Sequence, residues 1–151
     1  MKTNDYSCSF TVEQPSHAIF QAICQVNRWW ATNVVGNTQA LDEPFTVNLS
    51  CDTWVTFRVA VFAPDWHIAW LVTDCHLPWL SNQSEWNHTT LHFYITPTLN
   101  GNKLTVIHQG LSPDLECYDR CEQGWNNFAG KSLSKLITTG HGMPDTFKAK
   151  V

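Results

Sequence analysis

A histidine near the end of a predicted strand is the residue with the clearest chemical potential. Alternation over residues 102–110 places Leu104, Val106 and His108 on one apolar face. A buried histidine can act as a general base, can donate a hydrogen bond to a ligand, or can sit in the core with both ring nitrogens satisfied. The residue types leave all three interpretations open, and we favour the last.

Acidic side chains could complete an acid–base pair with that histidine. Glu85, Glu116 and Asp74 are the acids expected near the mouth of a cavity, although a charged group at a sheet edge is more often simply solvated. The candidate catalytic residues are therefore His108, Glu85 and Glu116. The sequence contains no nucleophile elbow, phosphate loop or dinucleotide fingerprint that would indicate another chemistry.

Two cysteines four residues apart, Cys117 and Cys121, lie on one face of a predicted helix, about 6 Å apart between Cβ atoms. Two thiolates could form half of a zinc site or a redox pair, but a tetrahedral site needs three or four protein ligands. His88 and His92 cannot supply the rest, because two residues four apart in a strand lie roughly 13 Å from each other. We expect no metal and no cofactor, and we expect thiols that pack as small apolar groups.

Eight tryptophans in 151 residues indicate either a heavy aromatic core or the lining of a pocket. The apolar loop of residues 76–80, HLPWL, lies between strands and would cap the entrance of a cavity. Trp29, Trp54 and Trp66 are expected to be mainly structural. The predicted ligand-binding set is Trp30, Trp70, Trp79, Trp86, His108, Cys117, Cys121, Trp125 and Phe128.

The elements that must position these residues follow from hydrophobic period and turn chemistry. Period-2 alternation predicts a strand over residues 5–14, Pro15 and Ser16 open a short helix, and residues 26–30 form a second short helix or a turn. A helical pattern over 115–139 ends at Gly140 and Gly142. Between the short helices and this long helix, five further strands are predicted at 43–51, 53–63, 66–74, 85–96 and 102–110. Antiparallel strands with segregated helices indicate an α+β fold.

Two glycines inside the long helix, Gly124 and Gly130, each cost about 0.5–1 kcal/mol relative to alanine. Their presence indicates close helix–sheet packing, a bend, or a soft segment. A soft segment beside Trp125 and Phe128 would let a ligand enter and leave a cavity.

Several of these landmarks occur together in one known superfamily. Residues 10–12 (FTV), Pro15, residues 19–23 (IFQAI) and the Trp29–Trp30 pair resemble the opening of the SRPBCC (START-like, helix-grip) superfamily. Glu85–Trp86 and residues 105–111 (TVIHQGL) look like later landmarks of one branch of it, named after the activator of the 90-kDa heat-shock protein ATPase. Within that branch, the chain resembles a stand-alone copy of the activator's C-terminal domain.

The resemblance implies a curved antiparallel sheet of about six strands wrapped around a long C-terminal helix, with a cavity between them. It implies binding of a small hydrophobic or aromatic ligand there. A cyclase or dehydratase using His108 and a chaperone-interaction module are the alternatives, and a homodimer is also compatible with it.

Length and composition narrow the remaining classes. A chain of 151 residues predicts a single domain over 1–151, with a core at about 5–140 and a short tail at 141–151. The net charge of −4 argues against nucleic acid as a partner. Because the sequence has neither a secretory signal pattern nor an apolar run of about 18 residues, we expect a cytoplasmic protein that does not insert into membranes. Binding without a chemical step is the favoured function.

Overall fold

A computed structural model of the chain describes residues 5–145. The α+β architecture is confirmed. The elements occur in the order β1 (Tyr6–Val12), α1 (Ser16–Cys24), α2 (Val26–Trp29), β2 (Asn33–Gly36), β3 (Pro44–Leu49), β4 (Thr53–Ala63), β5 (His67–His76), β6 (Thr90–Thr98), β7 (Gly101–Gln109), α3 (Tyr118–Trp125), a π-helical segment (Asn126–Ser132) and α4 (Leu133–Thr139).

The strands form one antiparallel sheet in the order β1-β7-β6-β5-β4-β3-β2, so that the first strand lies beside the last. The described part of the chain therefore has seven strands, where about six were predicted. The additional strand is β2, a four-residue strand at the sheet edge that pairs with β3. Four residues are too few to produce a visible alternation, which explains why the sequence did not predict it.

The sheet curves because β4 and β5 change register twice. The register shifts between Thr56 and Phe57 and again between Val59 and Val61. Extra residues of this kind bend a strand and increase its twist. The inner face of the curved sheet carries fully buried side chains such as Phe57 and Val59, against which the helices pack.

The C-terminal helix runs without interruption over residues 118–139, but its middle turns are π-helical. Its start lies three residues later than predicted because residues 113–117 form turns and a bend. It ends as predicted, with Gly140 in the left-handed conformation at φ 85°. The Tyr6 hydroxyl donates to Asn126 Oδ1 at 2.7 Å, and the buried Ser132 hydroxyl donates to the Trp29 carbonyl at 2.7 Å. These bonds fix both ends of the π-helical segment to the rest of the domain.

The strand predicted to start at residue 85 begins only at Thr90. Residues 84–88 form turns instead, and His88 has a positive φ of 71° that reverses the chain. Because Trp86 is apolar, it extended the alternating pattern of the predicted strand, but it belongs to the connection between β5 and β6.

Residues 141–145, predicted as the start of a tail, return to the domain. The Asp145 N–H donates to the Trp30 carbonyl at 2.7 Å, and its carboxylate accepts from the backbone N–H of Ser50 at 3.1 Å. The rest of the predicted tail, 146–151, lies outside the described residues. No helix within residues 5–145 combines the length and the apolar character that crossing a membrane requires.

Candidate functional site

A cavity of about 120 Å³ lies between the C-terminal helix, the β5–β6 connection and the edges of β3 and β4. We call it the indole cavity, because four of its lining residues are tryptophans. Its wall is almost wholly apolar and consists of Trp30, Leu49, Thr53, Val55, Leu77, Trp79, Trp86, Arg120, Cys121, Gly124, Trp125 and Phe128. Leu49, Trp79, Arg120, Gly124 and Phe128 are at least partly exposed and form its rim, whereas the others are buried and form its floor.

Three of the indoles form a contiguous wall. Trp30 and Trp125 have ring centroids 4.8 Å apart, and Trp125 stacks on Trp86 at 5.7 Å with an interplanar angle of 18°. Trp30 comes from the residue after α2, Trp125 from the end of α3, and Trp86 from the β5–β6 connection. The fold thus brings together rings that are up to 95 residues apart in the sequence, from position 30 to position 125.

His108 lies behind this wall and is not one of the lining residues. Trp125 Nε1–H donates to His108 Nδ1 at 3.0 Å, so that nitrogen must be unprotonated. His108 Nε2–H then donates to Thr89 Oγ1 at 2.8 Å, and the Thr89 hydroxyl donates to the Trp86 carbonyl at 2.6 Å. Complete burial lowers the pKa of His108 to about 3. The ring is therefore neutral at physiological pH, with both nitrogens occupied.

The two acids predicted as partners of His108 also bond elsewhere. Glu85 accepts a hydrogen bond from the backbone N–H of Cys117 at 3.1 Å, and Glu116 accepts one from the backbone N–H of Ser81 at 3.1 Å. Neither lines the indole cavity. Together they join the β5–β6 connection to the beginning of the C-terminal helix. The third acid, Asp74, is exposed and accepts from the N–H of its neighbour Cys75 at 2.9 Å.

The rim has its own contact. The Arg120 guanidinium lies over the Trp79 ring, 4.9 Å from its centroid. Trp79 belongs to the apolar loop that was predicted to cap a cavity entrance, and it lies at this rim, whereas Leu77 from the same loop is buried in the floor.

The two cysteines at the beginning of the C-terminal helix differ in position, since Cys117 precedes α3 and Cys121 belongs to it. Cys121 lines the cavity, whereas Cys117 is fully buried and does not. The pKa of Cys121 is raised by its hydrogen bond with Cys117 and by burial. A thiol held protonated is a weak nucleophile, which favours packing over chemistry at Cys121.

Trp70 does not line the indole cavity, although it was in the predicted ligand set. It is fully buried in the centre of the sheet, with its ring 5.5 Å from Phe57 and 4.8 Å from Phe93. Phe128, Trp30, Trp79, Trp86 and Trp125 of the predicted set do line the cavity. Trp29, Trp54 and Trp66, expected to be structural, do not.

Some lining residues were not predicted from the sequence, namely Leu49, Thr53, Val55, Leu77, Arg120 and Gly124. A signal for Gly124 was available, because Cys121, Gly124, Trp125 and Phe128 are spaced three and four apart on one helix face. A Cβ added at Gly124 or at Gly130 would meet nothing within 4 Å. Close helix–sheet packing, one of the expected reasons for these glycines, is therefore wrong at both positions.

The outer face of the sheet holds an imidazole pair that the sequence did not indicate. His67 Nε2 and His92 Nδ1 lie 3.1 Å apart, and His92 Nε2 lies 2.9 Å from Gln109 Oε1. Burial and the neighbouring His92 lower the pKa of His67. Across residues 5–145 there is no group of three or more histidine, cysteine, aspartate or glutamate side chains placed to hold a metal ion.

Comparison with solved structures identifies the class of fold. The chain is similar to the Aha1 dimer from Colwellia psychrerythraea, with a TM-score of 0.74 and 16% identity, covering 91% of this chain and 98% of that one. It is also similar to protein MLL2253 from Mesorhizobium loti, with a TM-score of 0.71 and 18% identity over 89% and 97% of the two chains. A third similar structure is DynU16, a putative protein in the dynemicin biosynthetic locus, with a TM-score of 0.71 and 13% identity over 97% and 52%.

These similarities confirm the suspected START-like resemblance at the level of the fold. The chain has the helix-grip fold, in which a curved antiparallel sheet holds a long C-terminal helix. No protein-family model matches the sequence, and no curated protein sequence matches it. A fold of this kind does not fix a function, which depends on the site that the fold carries.

Proposed function

We propose that this protein binds a small, mostly apolar molecule in the indole cavity. The observation that carries the proposal is a cavity of about 120 Å³ walled by four indoles and other apolar groups, on the side of the C-terminal helix that faces the sheet. An apolar cavity of roughly 150 Å³ in another protein takes up one benzene molecule. The size therefore favours a ligand with a single ring or a short branched chain.

Binding without a chemical step agrees best with the surrounding groups. The cyclase or dehydratase alternative needs a base with a free nitrogen at the cavity, and both nitrogens of His108 are engaged. Glu85 and Glu116 hold backbone N–H groups rather than facing the cavity. His108 instead acts as a positioning residue that links Trp125 to the segment carrying Trp86.

The part of the C-terminal helix that borders the indole cavity offers a route by which a ligand can enter. The cavity borders Gly124 and Phe128, and Phe128 belongs to the π-helical segment. π-helical turns are often found at functional sites, and Gly124 leaves open space at its Cβ position. We infer that ligands enter past this part of the rim. Replacing Gly124 and Gly130 with alanine is expected to slow ligand association in stopped-flow fluorescence, and unchanged rates would refute this route.

The binding test uses neutral probes of increasing size: benzene, toluene and naphthalene. Benzene and toluene should change tryptophan emission, because indoles form the wall, and should raise the thermal midpoint. At ten times the dissociation constant the expected stabilisation is about 1.4 kcal/mol. Naphthalene should bind more weakly, since the cavity accommodates about one ring.

A substitution pair supplies the control. Gly124→Leu adds a side chain into the open space beside the cavity and should abolish binding of toluene. Gly124→Ala keeps the helix but adds only one methyl group, and it should retain measurable binding. Circular dichroism checks that both variants fold. Equal toluene affinity in Gly124→Leu and the unmodified protein, or no response to any probe, would contradict the proposed function.

The predicted homodimer and chaperone partner remain separate predictions. The similar Colwellia protein was solved as a dimer, which supports measuring the native mass of this chain. A chaperone-related role predicts binding to a 90-kDa heat-shock protein and a changed ATPase rate at micromolar concentration. Absence of both effects would exclude that role.

A further inference from the structure

The rim of the indole cavity carries a single cation among its lining residues, Arg120 of α3. Arg120 is exposed. Among residues 5–145, no carboxylate oxygen lies close enough to its guanidinium, within 4.0 Å, to form an ion pair. The rest of the wall is almost wholly apolar. Any charge on a bound ligand must therefore lie at this rim.

The expected partner of Arg120 is engaged elsewhere. Glu116 precedes Arg120 by four residues, the spacing at which an acid pairs with a following base on a helix. However, residue 116 lies in the turns before α3, and its carboxylate accepts the Ser81 N–H at 3.1 Å. Glu122, an acid within α3, accepts the Tyr118 hydroxyl at 3.3 Å. The fold therefore leaves Arg120 available at the cavity mouth.

The position of the guanidinium suits an anion. It lies over the Trp79 ring at 4.9 Å, so that the indole supports its flat face. The N–H groups along the edge of a stacked guanidinium can still donate, and two of them match the two oxygens of a carboxylate.

We propose that the ligand of the indole cavity is a small carboxylic acid. Its apolar body, about the size of one aromatic ring, lies among the indoles, and its carboxylate receives hydrogen bonds from Arg120. This inference rests on the proposed function and adds the chemical class of the ligand.

The test compares phenylacetate with 2-phenylethanol, which has a similar apolar body and no charge, at pH 7.5 by calorimetry and tryptophan fluorescence. At low salt, phenylacetate should bind about tenfold more tightly than 2-phenylethanol, because hydrogen bonds that involve charged groups contribute about that much to affinity. Added sodium chloride should reduce this preference, because an exposed ion pair is screened. Arg120→Gln should remove the preference, and Arg120→Lys should retain part of it. Lys135→Gln, which makes the same charge change at an exposed site of α4 away from the cavity, should leave it intact.

The outcomes separate the two proposals. Equal affinities for the acid and the alcohol, or an unchanged preference in Arg120→Gln, overturn the carboxylate inference while the cavity still binds apolar molecules. No binding of either compound overturns the inference and the proposed function together. A preference that Arg120→Gln and Lys135→Gln lower equally reflects net charge alone and also overturns the assignment to Arg120.

Discussion

Acidification should destabilise this protein through one buried side chain, His108. Its pKa is about 3 in the folded protein, because burial disfavours the charged ring, against an ordinary value of 6.5. A group whose pKa is lowered by folding contributes its full stability above the unfolded value. That stability is lost as the pH falls from about 6.5 towards 3.

The magnitude follows from the two pKa values. Each pH unit inside that window costs about 1.4 kcal/mol, so lowering the pH from 7 to 4.5 should remove about 2.5 kcal/mol through His108 alone. For a domain of this length that corresponds to a fall of roughly 5–10 °C in thermal midpoint. The physical event is the loss of the Trp125 N–H bond, since a protonated Nδ1 can no longer accept it.

The variant that isolates this effect is His108→Asn. Asparagine cannot be protonated in this range, and its side-chain oxygen can accept the Trp125 N–H, while Thr89 still donates to the Trp86 carbonyl. The variant should be less stable at pH 7, by about 1–3 kcal/mol, because buried packing and one hydrogen bond are lost. Between pH 7 and 4.5, however, it should lose about 2.5 kcal/mol less than the unmodified protein.

Urea unfolding at both pH values measures this difference, since all other titrating groups are shared and cancel. His141→Asn, which replaces an exposed histidine, serves as the control and should show the pH dependence of the unmodified protein. If His108→Asn shows that same pH dependence, the buried neutral ring does not control acid stability.

Three further changes test other contacts. Glu85→Ala removes the acceptor of the Cys117 N–H and should lower the free energy of unfolding by about 1 kcal/mol in urea titrations, an effect that Glu85→Gln should largely avoid. Gly130→Ala should raise it by about 0.5–1 kcal/mol, because its added methyl meets nothing within 4 Å; a fall would show that the π-helical segment needs glycine. Asp145→Ala removes the acceptor of the Ser50 N–H and should increase hydrogen exchange at that amide, whereas unchanged exchange would assign the anchoring to the backbone bonds alone.

The sequence predicted the long elements of the fold well, because their hydrophobic periods extend over many residues. Strand β4 has the predicted limits, and β7 differs by one residue at each end. The elements that were missed have short or misleading patterns. β2 is a four-residue edge strand, and the start of β6 was placed too early because the left-handed turn at His88 leaves no strong sequence signal. The π-helical segment was not predicted either, since it is confined to seven residues and the α-helical turns on both sides keep the period of 3.6 recognisable.

The sequence predicted most of the residues near the candidate site, but not how the helix and the strands place them relative to one another. Trp86 and Trp125 were expected near His108, and all three rings are in contact. The alternation that placed His108 on an inner face was correct. It could not show that Trp70 lies outside the lining of the indole cavity, nor that Arg120 stacks on Trp79, because both depend on how the helix sits across the strands.

The hydrogen bonds around the indoles show which tryptophans are held rigidly in the core and which lie at the more loosely held rim of the cavity. The floor of the cavity is held in place, since Trp125 bonds to His108 and the chain at Trp86 bonds to Thr89. The rim has weaker constraints, because Trp79 is partly exposed and its ring contact is with an exposed arginine. A rigid, mostly apolar floor sets the size of the proposed ligand and offers few hydrogen-bonding groups, such as the buried Trp86 Nε1–H, which has no partner among the described residues. Discrimination by charge must therefore come from the rim, so substitutions at Arg120 should change which ligands bind, whereas substitutions at His108 should change how stable the protein is.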